Sequence, residues 1–238
     1  MYRTRLPRIY ELRDLILDPS APNAYFQGFE GFLTSSKHAR ALYLDLEQEL
    51  EGLEQTAWES LKNEAKQYLV RKDKSGRGWQ QLFDILNQAY GYNYLKTLQC
   101  TTIRFVPRST KEGVETPDIE GESNSGRVLC EVKTMNISQD EVQARHEVKV
   151  RSIKNQLEQP FFGKLDSIIT KAKSQLSAYD PRDEAKHCVY ICICFDDLVG
   201  HYEDEYLGQI DRHLTDNPDA KVNVILRVKD KVLTKSAG

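Results

Sequence analysis

The stretch TPDIEGESNSGRVLCEVKT, residues 116–134, sets the fold. A short piece at TPDIE and the run RVLCEVKT flank the polar loop GESNSG, so the two pieces read as strands of a hairpin. On a strand, alternate residues share a face: Glu131 and Lys133 point one way, while Cys130 and Val132 point into the opposite, apolar side. Twelve residues separate Asp118 from Glu131, enough for a turn and a return strand, which brings Asp118 beside Glu131 at the open end of the hairpin.

Outward from the hairpin the pattern gives the rest of the sheet. TTIRFVP (101–107) reads as a strand before it. After it, 139–158 and 163–178 read as helices separated at Pro160 and Gly163, and HCVYICICF (187–195) is the unbroken apolar run of a buried central strand. A helix around 203–214 and a strand KVNVILRV (221–228) complete the series. Towards the amino terminus the period changes to that of helices. Trp58, Leu61, Ala65 and Leu69 recur at helical spacing, KDKSGRG (72–78) makes a stop and loop, and GWQQLFDILNQAY (78–90) makes a second helix. That helix turns Leu82, Phe83, Leu86 and Ala89 to a core and ends at Gly91. Hairpins give antiparallel pairs and crossover helices give parallel ones, so the order predicts an α/β fold: a mixed central sheet flanked by helices, residues 78–238, with an added helical region at 1–77.

Composition removes several classes of protein. The 238 residues suffice for one ample domain, and 39% hydrophobic with 29% charged residues is ordinary for a globular chain. The longest apolar run, Cys188 to Phe195, is too short to cross a bilayer, and MYRTRLPRIYEL lacks the apolar stretch of a signal peptide, so a cytoplasmic protein with no membrane partner is expected. Five cysteines, an odd number, fit free thiols in a reducing compartment. Net charge is −3, with acidic flanks at 45–64 and 196–219 and an excess of four positive charges over 143–173. There is no repeat and no G-x-x-x-x-G-K loop, which excludes solenoids and nucleotide-driven motors.

The chemistry of the hairpin is that of a hard-cation site. Mg²⁺ takes oxygen ligands, typically one or two carboxylates with substrate phosphate and water, and a nearby lysine can steady the attacking water or the charge that develops on phosphorus. Asp118, Glu131 and Lys133 are those residue types, and they suit phosphodiester hydrolysis.

The same segment resembles the PD-(D/E)XK nuclease superfamily, with Pro117 and Asp118 as its first element and Glu131, Val132 and Lys133 as its E-x-K element. The resemblance covers about residues 78–195. It implies a restriction-endonuclease-like fold and cleavage of nucleic acid, DNA in the first place, with Mg²⁺ or Mn²⁺ as cofactor. By that likeness Asp118 and Glu131 bind metal, the Val132 carbonyl completes the shell and Lys133 positions or activates water.

The family often carries an acid on the helix before the hairpin, and this sequence departs there: the position holds the neutral Gln81, with Asp84 one turn later. In KLDSIITKAKSQLSAY (164–179) an apolar stripe of Leu165, Ile169, Ala172 and Leu176 leaves Lys171 and Gln175 together at i, i+4 spacing. Gln81, Lys171 and Gln175 are the expected substrate contacts. Cys188, Cys192 and Cys194 share a strand face, but thiols on a buried strand behave as small core groups rather than zinc ligands. The rival reading is a nuclease fold without turnover that serves nucleic-acid binding or protein assembly. Cutting both strands of a duplex would favour a homodimer.

Overall fold

The structure, a computed structural model, describes residues 2–18, 24–70, 79–110, 115–135, 155–193, 202–218, 222–228 and 231–236. The chain divides into two compact units, Met1–Tyr94 and Leu95–Gly238. The boundary expected at residue 77 falls on residues outside those described.

The first unit is helical: α1 (Pro7–Asp14), α2 (Phe29–Ser35), α3 (Lys37–Glu51), α4 (Gln55–Lys66), α5 (Gln80–Leu86) and most of α6 (Gln88–Thr97). Its acids serve partly inside the unit. Glu47, 2% exposed, accepts hydrogen bonds from the backbone N–H groups of Arg8 (2.8 Å) and Ile9 (2.9 Å), closing the amino end of α1 where Leu6 offers no side-chain cap. Asp45 accepts from the Tyr90 hydroxyl at 2.8 Å, and Glu49 from the Asn93 amide at 2.7 Å. This stretch is therefore not a plain solvated acidic face. The helix expected over 78–90 is two helices joined at Asn87, and Gly91 does not end the second. The apolar period runs on past it: Ala89, Tyr92 and Leu95 are all buried, and their packing outweighs the helix cost of one glycine.

The second unit holds a six-stranded mixed sheet in chain order: β1 (Thr101–Phe105), β2 (Ile119–Ser123), β3 (Gly126–Met135), β4 (Lys186–Ile193), β5 (Val222–Val228) and β6 (Lys231–Lys235). β1, β2 and β3 pair antiparallel, β3, β4 and β5 parallel, and β5 with β6 antiparallel. The parallel pairs are linked through α7 (Gln159–Tyr179) and α8 (Glu203–Asp216). Both helices cover one face, where Leu165, Ile169, Ala172 and Leu176 of α7 and Ile210 and Leu214 of α8 meet Val189, Ile191, Val224 and Leu226. The mixed α/β sheet flanked by helices is thus as the sequence predicts.

Three details differ from expectation. The GESNSG loop is tighter: Gly121, Glu122 and Ser123 belong to β2, and only Asn124 and Ser125 connect the strands before Gly126, whose φ of +110° suits a residue without a side chain. α7 starts at Gln159, not after Gly163, because a proline in the first helical turn needs no N–H partner. β6 is an added edge strand with no hairpin signature such as Asn-Gly before it. Residues 139–154 of the helix expected at 139–158, and with them Arg145, Lys149, Arg151 and Lys154 of the basic stretch 143–173, lie outside the described residues; 155–158 are described and are not helical.

Candidate functional site

β3 runs through the middle of the sheet, and the register fixes what each of its residues can do. Leu129, Glu131, Lys133 and Met135 share the face that α7 covers, so two charged side chains interrupt an otherwise apolar row. β2 ends against β3 at the Ile119–Cys130 pair. Beyond that point no β2 residue continues the ladder, and the Asp118 carboxylate takes its place: Oδ2 accepts a hydrogen bond from the Val132 N–H at 2.8 Å. The N–H and C=O of one strand residue point to the same side, so the Val132 carbonyl also faces Asp118. The structure brings together Asp118, Glu131, Val132 and Lys133 at the open end of the hairpin.

Burial gives the site its electrostatics. Glu131 is 1% exposed. Its Oε1 accepts from the Lys133 ammonium, while Oε2 is buried with no hydrogen-bond partner. Desolvation, with the Asp118 charge adding to it, raises the Glu131 carboxyl from 4.5 to about 8. Lys133, with 32% of its side chain exposed, is also raised: the charges of Glu131, Asp118 and Glu115 outweigh its desolvation. The two shifts oppose each other, since a lysine held by a carboxylate implies an ionised Glu131, whereas a raised Glu131 implies a proton on it. The upward shift of Glu131 prevails, because a nearly complete loss of water acts on the whole carboxylate and Lys133 reaches only one oxygen of it. Lys133 stays an ammonium in either case.

Gln175 of α7 completes the arrangement. Its Oε1 lies 3.3 Å from Lys133 Nζ and its Nε2 donates to the Thr116 carbonyl at 2.8 Å. Lys171, one turn earlier, is exposed. Gln81 is exposed and Asp84 half-buried on α5, in the first unit rather than the one that carries the sheet. On the opposite face of β3 and β4, Cys130 and Cys188 are fully buried register partners. Burial raises Cys188 to about 11 and Cys130 well above its ordinary value, so both are neutral thiols. Cys194 lies outside the described residues.

Neither a protein-family model nor a curated protein matches the sequence. A solved structure of SfsA from Pyrococcus furiosus in complex with Ca²⁺ is similar over 71% of this chain and 64% of that chain, with 9% identity and a TM-score of 0.23. This chain spans less than two thirds of that protein's length, and a likeness of that size assigns no activity to it.

The donor set fits a small hard cation. An orphaned, buried carboxylate oxygen on Glu131, the neighbouring Asp118 carboxylate and a strand-end carbonyl are all oxygen donors, and a cation is what would offset their mutual repulsion. Among the described residues no group of three or more His, Cys, Asp or Glu side chains could hold a metal ion, so the set is two carboxylates and a carbonyl. Two participants have no signature in the sequence. The Thr116 carbonyl is a main-chain acceptor, and Glu115 acts on Lys133 through charge alone.

Proposed function

We propose that this chain is an endonuclease that hydrolyses phosphodiester bonds of nucleic acid with Mg²⁺ or Mn²⁺, DNA being the substrate that the family resemblance implies. The observation that carries the reading is the buried Glu131 carboxylate with one oxygen unpartnered, next to Asp118 and Lys133. Lys133 meets one oxygen of that carboxylate and the other is buried without a partner, which is where a ligand of positive charge would complete the pairing.

Asp118 and Glu131 would hold the cation with the Val132 carbonyl. A bound divalent cation supplies Lewis-acid polarisation of the phosphoryl oxygen and makes water easier to deprotonate. Lys133 acts as a fixed positive charge. Its raised pKa keeps it protonated at neutral pH, so it orients the attacking water and stabilises the negative charge that grows on the phosphoryl oxygens rather than accepting the proton. Lys171, exposed one turn from Gln175 on α7, would meet a backbone phosphate. The resemblance of the Pro117–Lys133 segment to PD-(D/E)XK nucleases supports the same reading.

One observation favours the rival, a nuclease-fold module that binds nucleic acid without cutting it: among the described residues the set has two carboxylates, and Lys133 already engages one of them. Duplex, single-stranded and RNA substrates incubated with Mg²⁺, Mn²⁺ or chelator separate the readings. Cation-dependent cleavage supports the nuclease; retention on DNA at low salt without any cleavage supports the module. Among the described residues no helix is long and apolar enough to cross a membrane.

A further inference from the structure

Gln175 is the link between the lysine and the turn that carries Asp118. Its amide has two different ends, and each meets a group of matching polarity: the carbonyl oxygen faces the Lys133 ammonium at 3.3 Å, and the NH₂ donates to the Thr116 carbonyl at 2.8 Å. Thr116 lies two residues before Asp118, and Asp118 in turn accepts from the Val132 N–H at 2.8 Å. The segment 116–118 leaves the β2–β3 ladder at the end of β2, so no pairing with β3 holds it at that point. On the β1 side the Val106 N–H donates to the Asp118 carbonyl at 2.9 Å and the Thr116 hydroxyl donates to the Pro107 carbonyl at 3.3 Å; towards β3 the segment is fastened by Gln175 from the helix and by the Asp118 carboxylate itself.

We propose that Gln175 is a positioning residue, which clamps the Thr116–Asp118 turn to β3 and fixes the direction of Lys133, rather than a contact to substrate. The assignment rests on the nuclease reading for the use of the site, but its geometry belongs to the metal-free protein. Only an amide serves both ends. A carboxylate at this position would repel the Thr116 carbonyl, and an apolar side chain of equal length would meet neither partner. The coupling has a direct consequence at Val132. Releasing Thr116 loosens Asp118, and Asp118 is the acceptor that protects the Val132 amide.

Gln175→Met and Gln175→Glu, with the full chain, test this by amide hydrogen exchange without cation and by calorimetric titration with Mn²⁺. In both variants the Val132 amide should exchange roughly fivefold faster or more, the loss expected for one hydrogen bond, while the amides of Glu131 and Lys133, which face β4 in an intact parallel ladder, stay as protected as in the wild type. Mn²⁺ affinity should fall by roughly the same factor in Gln175→Met. Unchanged exchange at Val132 in a folded variant would overturn the clamp, and so would faster exchange along the whole of β3, which would mark a general loss of stability. If Gln175 instead touches substrate, Val132 exchange stays as it was and only KM rises. Asp118→Asn is titrated alongside: if the wild type itself binds no Mn²⁺, the nuclease reading fails while the exchange result still decides the clamp.

Discussion

Replacing Glu131 with glutamine removes a charge that the metal-free fold holds at a cost. In the folded chain the carboxyl is raised from 4.5 to about 8, mainly by burial and next by Asp118. Between those pH values the native state keeps the proton that the unfolded chain has lost, so the native state binds more protons and stability falls as pH rises through the window. Below pH 4.5 the penalty is absent; above about 8 it is complete. At 1.36 kcal/mol per unit the ceiling is about 5 kcal/mol, the opposing pull of Lys133 already included, and solvent screening at the partly exposed Lys133 end of the pair brings it to roughly 1–3 kcal/mol. Glu131→Gln, measured in chelator by thermal denaturation, should therefore be more stable than the wild type at pH 8.5 by roughly 2–12 °C, with the difference shrinking towards zero near pH 5. Added Mg²⁺ should reverse the order at pH 8.5, since a cation at about 1,000 times its Kd stabilises the wild type by about 4.1 kcal/mol and the variant by little. A variant less stable than the wild type at pH 8.5 in chelator, or a gain equal at pH 5 and 8.5, would refute the reasoning.

Other substitutions separate the roles within the site. Lys133→Met should keep divalent-cation binding by calorimetry and lower turnover by about two orders of magnitude or more, the loss typical of a group that stabilises transition-state charge; a collapse of cation affinity would contradict its role. Asp118→Asn can still accept from Val132, so its melting temperature should stay within about 2–4 °C of the wild type while cation binding is lost. Lys171→Ala should leave kcat unchanged and reduce the slope of log affinity against log salt by about one, and an unchanged slope would place it off the phosphate path. If both strands are cut by a homodimer, light scattering at assay concentration should give twice the 27.4 kDa chain mass, and a monomer would remove that expectation.

Much of this was legible because the sheet writes itself in period two. The face shared by Glu131 and Lys133, the buried run from Cys188 and the hairpin that returns Asp118 all follow from alternation and loop length. What was not legible is depth. The pattern predicts an apolar face opposite Glu131, but β3 is central and α7 lies over the charged face too, so Glu131 is enclosed rather than open to water. Only the placement of α7 decides that, and it depends on contacts far apart in sequence. The join at Asn87 and the continuation through Gly91 were hidden for a related reason, since Tyr92 and Leu95 extend the buried stripe where a glycine suggests a stop. Gln175 was found from helix spacing, but its partner Thr116 contributes a carbonyl, which every residue has and no sequence pattern reveals.

The most direct test of the central claim is plasmid cleavage by the full chain and by Glu131→Gln, side by side, in Mg²⁺, in Mn²⁺ and in chelator. The wild type should nick or cut with either cation and leave the plasmid whole in chelator, and the variant, with its fold intact, should cut under no condition. Cleavage that persists in Glu131→Gln, or a wild type that binds Mn²⁺ and DNA yet leaves every substrate whole, would contradict it.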